Sequence, residues 1–109
     1  MRPVTVLHCS DLHLGRVLPQ GRSEELQMTF EDLILLGEQR KADLFLIAGD
    51  LFDQPVPERE LVEFVRSRLA KLPENMTVAI APGNHDFICS GSPYLNCDWG
   101  KRVKILTGQ

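Results

Sequence analysis

The chain is predicted to be an α/β protein with a mostly parallel sheet, its elements running βαβαβ-loop-β. Three observations predict it. Short apolar, β-branched runs alternate with stretches of helical periodicity, the pattern of strands joined by crossover helices. One run, Leu44 to Ala48, is apolar without interruption, as a parallel strand covered on both faces would be. Each of the first three runs is followed at once by a polar cluster: Ser10-Asp11-Leu12-His13, Gly49-Asp50-Leu51-Phe52-Asp53 and Gly83-Asn84-His85-Asp86. Loops beyond the carboxyl ends of parallel strands lie side by side, so these clusters are expected to converge.

Taken in order, Val4-Thr5-Val6-Leu7-His8 reads as a buried first strand, with His8 a packed core residue rather than a ligand. Cys9 reads as core filling rather than a nucleophile. From Leu14 to Gly21 the glycines and Pro19 leave no periodicity, so this is a loop. Ser23 offers an N-cap, and Glu24 and Glu25 suit the positive end of a first helix. Its stripe is Leu26, Phe30, Leu33, Ile34 and Gly37, and Arg40 and Lys41 suit its carboxyl end. After the Leu44 to Ala48 strand, Pro57 is expected as the first residue of a second helix reaching about Lys71. Leu61, Val62, Phe64, Val65, Leu69 and Leu72 cover more of that helix than sheet packing requires, so part of it is expected to meet a partner. Pro73-Glu74-Asn75 turns into a third strand, Thr77 to Ala81, and Pro82-Gly83 makes the sharp turn that presents Asn84 and His85. Phe87 to Gly100 is expected to be irregular, and Val103 to Leu106 a fourth strand.

Composition narrows the function. With 109 residues, 43% hydrophobic and 25% charged, the chain is expected to form one globular unit. A net charge of -3 lacks the basic excess of a nucleic-acid binder, so any phosphate affinity must be local. No apolar run approaches the about eighteen residues of a membrane span, and Met1-Arg2-Pro3 leads into a strand rather than a signal peptide. The expected compartment is therefore cytoplasmic. Cys9, Cys89 and Cys97 show no CxxC spacing and are expected to be free thiols.

The three clusters carry the chemistry. Asp11 and His13, separated by one residue, can grip one cation from the same side of an extended or turning backbone. Asp50 has two carboxylate oxygens and can bridge two cations, with Gly49 allowing a close backbone approach. Asn84 offers a neutral amide oxygen. Carboxylate, amide and imidazole together favour Mn²⁺, Fe²⁺ or Zn²⁺ over Ca²⁺, with Mn²⁺ the first expectation and Mg²⁺ a further one. Two such ions clamp both ends of an in-line displacement at phosphorus. Asp11, Asp50, Asp53 and Asp86 would otherwise crowd like charges into one pocket, and cations relieve that conflict. His85 is the candidate to stabilise the phosphorane or protonate the leaving oxygen, and Asp53 the candidate to orient its imidazole. Asp86 is a ligand, an orienting group or a turn cap, with the cap at least as good a reading. Arg16 and Arg22 are either phosphate contacts or solvated loop charges.

In order and spacing these motifs resemble the first three motifs of the calcineurin-like metallophosphoesterases. Leu7-His8-Cys9-Ser10-Asp11-Leu12-His13-Leu14-Gly15 and Ala48-Gly49-Asp50-Leu51-Phe52-Asp53 look most like the SbcD-type DNA repair nucleases, and Ser92-Pro93-Tyr94 with Trp99 is similar to a bacterial subgroup of them. The resemblance implies that Asp11 and His13 bind a first metal, Asp50 bridges, Asn84 binds a second, and His85 is catalytic. It also implies a DNA substrate and an SbcC-like ATPase partner. Such enzymes add a further His and a Gly-His-x-His segment, and no histidine follows His85 here. Residues 1–109 are therefore expected to be the amino-terminal half of a sandwich-like metallophosphoesterase domain, inactive alone.

Two other readings stand beside the nuclease. The same ligands would serve a phosphoesterase acting on small phosphomonoesters or cyclic nucleotides. A non-catalytic, receiver-like α/β module with an acidic metal pocket would want adjacent acids after the first strand, not His13, Asn84 and His85. If both long helices lie on one face of the sheet, the bare face is expected to drive homo-oligomerisation.

Overall fold

Strands and helices alternate along residues 3–16 and 24–107, which the computed structural model describes. They are β1 (Val6–Cys9), α1 (Glu24–Gln39), β2 (Leu44–Ala48), α2 (Arg59–Ala70), β3 (Thr77–Ala81), α3 (Pro93–Asn96) and β4 (Val103–Ile105). The sheet order is β1-β2-β3-β4 and every pairing is parallel, which bears out the α/β expectation. Ser23, Arg22, Pro19 and Gly21 lie outside the described residues.

Because each strand lies beside its predecessor, right-handed crossovers send every connection over the same face. The packing agrees. Arg68 Nε of α2 donates to Glu31 Oε1 of α1 at 2.8 Å, and the Phe30 and Phe64 rings lie 6.1 Å apart. Beneath them Phe45, Ile47, Val78, Ile80 and Val103 are buried, with Leu7, Cys9 and Ile105 packed against that core. Burial pushes the Cys9 thiol up to about 11, which leaves it a protonated core residue at neutral pH, as expected.

Among the described residues nothing covers the opposite face. Register places Val6 and His8 beside Leu44 and Leu46, and these beside Thr77 and Ala79. None of the six is buried, and Val6 is 50% exposed. Leu44 to Ala48 is thus covered on one side, not two, and His8 is an exposed residue of the open face rather than a core residue. The surplus apolar surface of α2 is also accounted for. Leu61, Val62, Val65, Leu69 and Leu72 are buried within the chain, and Phe64 lies against Phe30 and under the Arg68 guanidinium.

Three boundaries differ from expectation for local reasons. Pro57 is not the first helical residue: the extended Glu58 is the N-cap, and its carbonyl accepts from Leu61 and Val62. The irregular 87–100 segment contains one helical turn, because Ser92 Oγ caps Tyr94 N–H and Pro93 follows the cap. Leu14 is not loop but pairs as a parallel bridge with Phe52.

Candidate metal centre

The ladder between β1 and β2 continues past both strands, and this positions the first two motifs. Asp11 N–H donates to the Gly49 carbonyl at 3.0 Å, His13 to that of Asp50 at 2.9 Å, and Leu14 to that of Leu51 at 2.9 Å. Apolar anchors alternate with donors along the segment: Leu12 and Leu14 are buried, while Asp11 is exposed and His13 half-buried. Asp11, His13 and Asp50 have left-handed backbone, with φ of 56°, 51° and 55°. Non-glycine residues hold such angles at a cost of order 1–3 kcal/mol each, so the surrounding hydrogen bonds must impose them.

Side chains from three loops meet here. His13 Nε2 lies 4.0 Å from Asp11 Oδ1 and 3.9 Å from Asp50 Oδ2. His85 Nδ1 lies 3.1 Å from the same Asp50 Oδ2, and the two imidazoles stand edge to face with centroids 4.8 Å apart. Ligand atoms of His13, Asp50 and His85 all fall within 4.8 Å of one another, a spacing that fits shared coordination of a divalent cation. Asn84 is exposed on the turn just before His85.

One assignment changes, and the open choice for Asp86 falls on the cap reading. Asp53 does not orient His85. Its Oδ1 sits 3.2 Å from His13 Nδ1 and accepts from Arg16 Nε at 3.1 Å, so Arg16 is neither a free loop charge nor a free phosphate contact. His13 Nδ1 is buried and makes no hydrogen bond. Asp86 does not line the cluster either. It is 1% exposed, and its carboxylate accepts from the backbone of Asp50, Phe52 and Gly83 and from the Tyr94 hydroxyl. Burial, then the Asp86 carboxylate, pushes the Tyr94 phenol far above its ordinary range and keeps it a donor. The spacing of the three clusters does not point to Tyr94; the signal for it in the sequence is the Ser92-Pro93-Tyr94 segment followed by Trp99.

Asp50 is the hinge of the electrostatics. Burial pushes its carboxyl up, but hydrogen bonds from the His85 backbone and ring, with the charges of His85 and His13, outweigh it and leave the group below the usual carboxylate value. Gly83 makes the grip possible. A Cβ there would fall 2.6 Å from Asp50 N and closer still to Oδ1, whereas one on Gly49 would meet nothing nearer than 3.7 Å; Gly49 is needed instead for its φ of 91°. Gly83→Ala is therefore expected to cost about 1–3 kcal/mol of stability and to displace the Asp50 carboxylate. Urea unfolding of the full-length variant, with its metal content, checks both effects.

With this geometry the chain meets its class: it belongs to the calcineurin-like phosphoesterase family, whose model matches residues 4–106. Among its relatives is the DNA double-strand break repair protein Mre11 of Methanopyrus kandleri, 34% identical over 82 residues, which are 72% of this chain and 18% of that protein. The Aeropyrum pernix protein of the same name is 36% identical over 85 residues, 74% of this chain and 20% of that one. The chain thus spans about a fifth of the length of these curated relatives.

Proposed function

We propose that the full-length protein is a two-metal phosphodiester hydrolase acting on DNA, a cytoplasmic repair nuclease of the SbcD type. In this reading residues 1–109 are the amino-terminal part of its catalytic domain and are inactive alone. The observation that carries it is the convergence of His13, Asp50 and His85 on one point, with Asp11 beside them, in a family member whose relatives are named for DNA break repair. Asp11 and His13 would hold one cation, Asp50 would bridge, and Asn84 would hold the second, with Mn²⁺ the preferred ion. Such cations supply a nucleophile at neutral pH and neutralise charge on a transferring phosphoryl group. His85, whose side chain is 48% exposed, is open to a phosphate oxygen while Asp50 fixes its Nδ1 edge. Full-length protein with Mn²⁺ is expected to degrade linear duplex DNA and to lose that activity in chelator. Preference for a small phosphomonoester or cyclic nucleotide over DNA would move the reading to a small-molecule phosphoesterase.

An SbcC-like ATPase is the partner this reading assigns. Homo-oligomerisation is the expectation for the 109-residue chain itself, because Val6, Leu44, Leu46 and Ala79 leave an apolar sheet face open. Its burial is worth about 25 cal/mol per Å². Light scattering at micromolar concentration should give at least a dimer, and a clean monomer that binds no hydrophobic dye would count against it.

A further inference from the structure

The second and third motif loops hold each other reciprocally. The Asp50 carboxylate reaches into the third loop, where Oδ1 accepts from His85 N–H at 2.8 Å. The Asp86 carboxylate reaches back. Its Oδ1 accepts from Asp50 N–H at 3.2 Å and from Gly83 N–H at 2.7 Å, and its Oδ2 accepts from Phe52 N–H at 3.2 Å and from the Tyr94 hydroxyl. A buried carboxylate with this many donors is satisfied without a cation. Its donors bracket the left-handed Asp50 on both sides, so the direction in which the Asp50 carboxylate leaves the backbone depends on Asp86. Tyr94 anchors the arrangement from outside the motifs. It is 6% exposed, its amide is capped by Ser92, and its ring packs between Phe52 and Trp99 at centroid distances of 6.0 and 5.9 Å. Trp99 is fixed in turn by donating to the Pro93 carbonyl at 3.0 Å.

We propose that Asp86, held by Tyr94, is a positioning residue that aims the Asp50 carboxylate at the cation, so that the α3 segment contributes to metal affinity without touching metal. The proposal rests on the metal-site reading above. Loss of the Tyr94 hydroxyl takes the side-chain donor from Asp86 Oδ2 and loosens the carboxylate on that side, where the Phe52 amide remains. The Asp50 carboxylate then shifts relative to His13 Nε2, now 3.9 Å away, and His85 Nδ1, now 3.1 Å away.

The test is calorimetric titration of Mn²⁺ into the metal-free full-length protein, with the electron paramagnetic resonance line shape of the bound ion as a second readout. Tyr94→Phe is expected to weaken Mn²⁺ binding about tenfold and to alter the line shape, the usual scale for losing a group that orients a metal ligand. Val65→Ala, in the α2 core, controls for stability and should leave the affinity within about twofold at an equal or larger loss of melting temperature. Asp86→Asn, which turns an amide donor toward backbone donors, is expected to weaken binding by about a hundredfold. If that variant does not fold, Tyr94→Phe alone decides. Wild-type affinity and line shape in Tyr94→Phe, or an equal weakening in Val65→Ala, would overturn the positioning role and leave the function reading intact. Failure of the wild-type protein to bind Mn²⁺ would overturn both.

Discussion

Asp50→Ala in the full-length protein is expected to abolish metal retention and hydrolysis together. No other side chain in the site has as many roles. Its Oδ1 takes the His85 amide at 2.8 Å, its Oδ2 faces His85 Nδ1 at 3.1 Å and His13 Nε2 at 3.9 Å, and its backbone is one of the left-handed positions. Removing the carboxylate takes away the donor that would bridge two cations and leaves two imidazoles facing each other. Metal content after gel filtration should fall to background, and DNA hydrolysis with it. Asp50→Asn keeps an acceptor for the His85 amide but loses the charge, so it should retain the fold and still lose metal. Full metal occupancy in Asp50→Asn would show that the cations are held elsewhere.

His85→Ala should behave differently: turnover falls by about two to four orders of magnitude, the range for a lost acid or charge-stabilising group, while metal stays bound. The geometry makes this a sharp test, because a ring nitrogen of His85 stands within 4.8 Å of ligand atoms of His13 and Asp50 and is placed well enough to be a ligand itself. Metal content that drops as far as in Asp50→Ala would make His85 a ligand and remove its assigned role. A normal metal content with unchanged turnover would leave it no role at all.

Much of this was readable in the chain, and the misreadings share one cause. β2 and β3 coincide with the apolar runs Leu44–Ala48 and Thr77–Ala81, because nothing competes with the ladder there. β1 starts at Val6 rather than Val4 because Thr5 N–H donates to Asp43 Oδ2 at 2.9 Å and its carbonyl accepts from Asp43 and Leu44. His8 falls on the open face because alternation along one strand does not say which face the helices will cover; that depends on the order of all the strands. Asp53 faces His13 rather than His85, and its distance in sequence from the other motifs does not show which loop it touches. The Leu14–Phe52 bridge and the bond from Asp53 N–H to the Leu14 carbonyl at 2.9 Å deliver it to His13. The candidate ligand types stand in the motifs, whereas what Gly83, Asp86 and Tyr94 touch rests on contacts between loops.

The strand order has a consequence for biosynthesis. Val6 pairs with Leu44, Leu44 with Thr77, and Val78 with Val103, so each strand docks on the one synthesised just before it. Among the described residues, no strand is inserted between two that are already paired. The sheet can therefore grow from one edge as the ribosome releases the chain, with each loop closed only once by its own helix. The site matures on the same schedule. Asp11 and His13 emerge first with nothing to face, Asp50 joins them when β2 docks, and His85 and Asp86 arrive only when β3 is added. A nascent chain stopped short of β3 should consequently be unable to bring His13, Asp50 and His85 together.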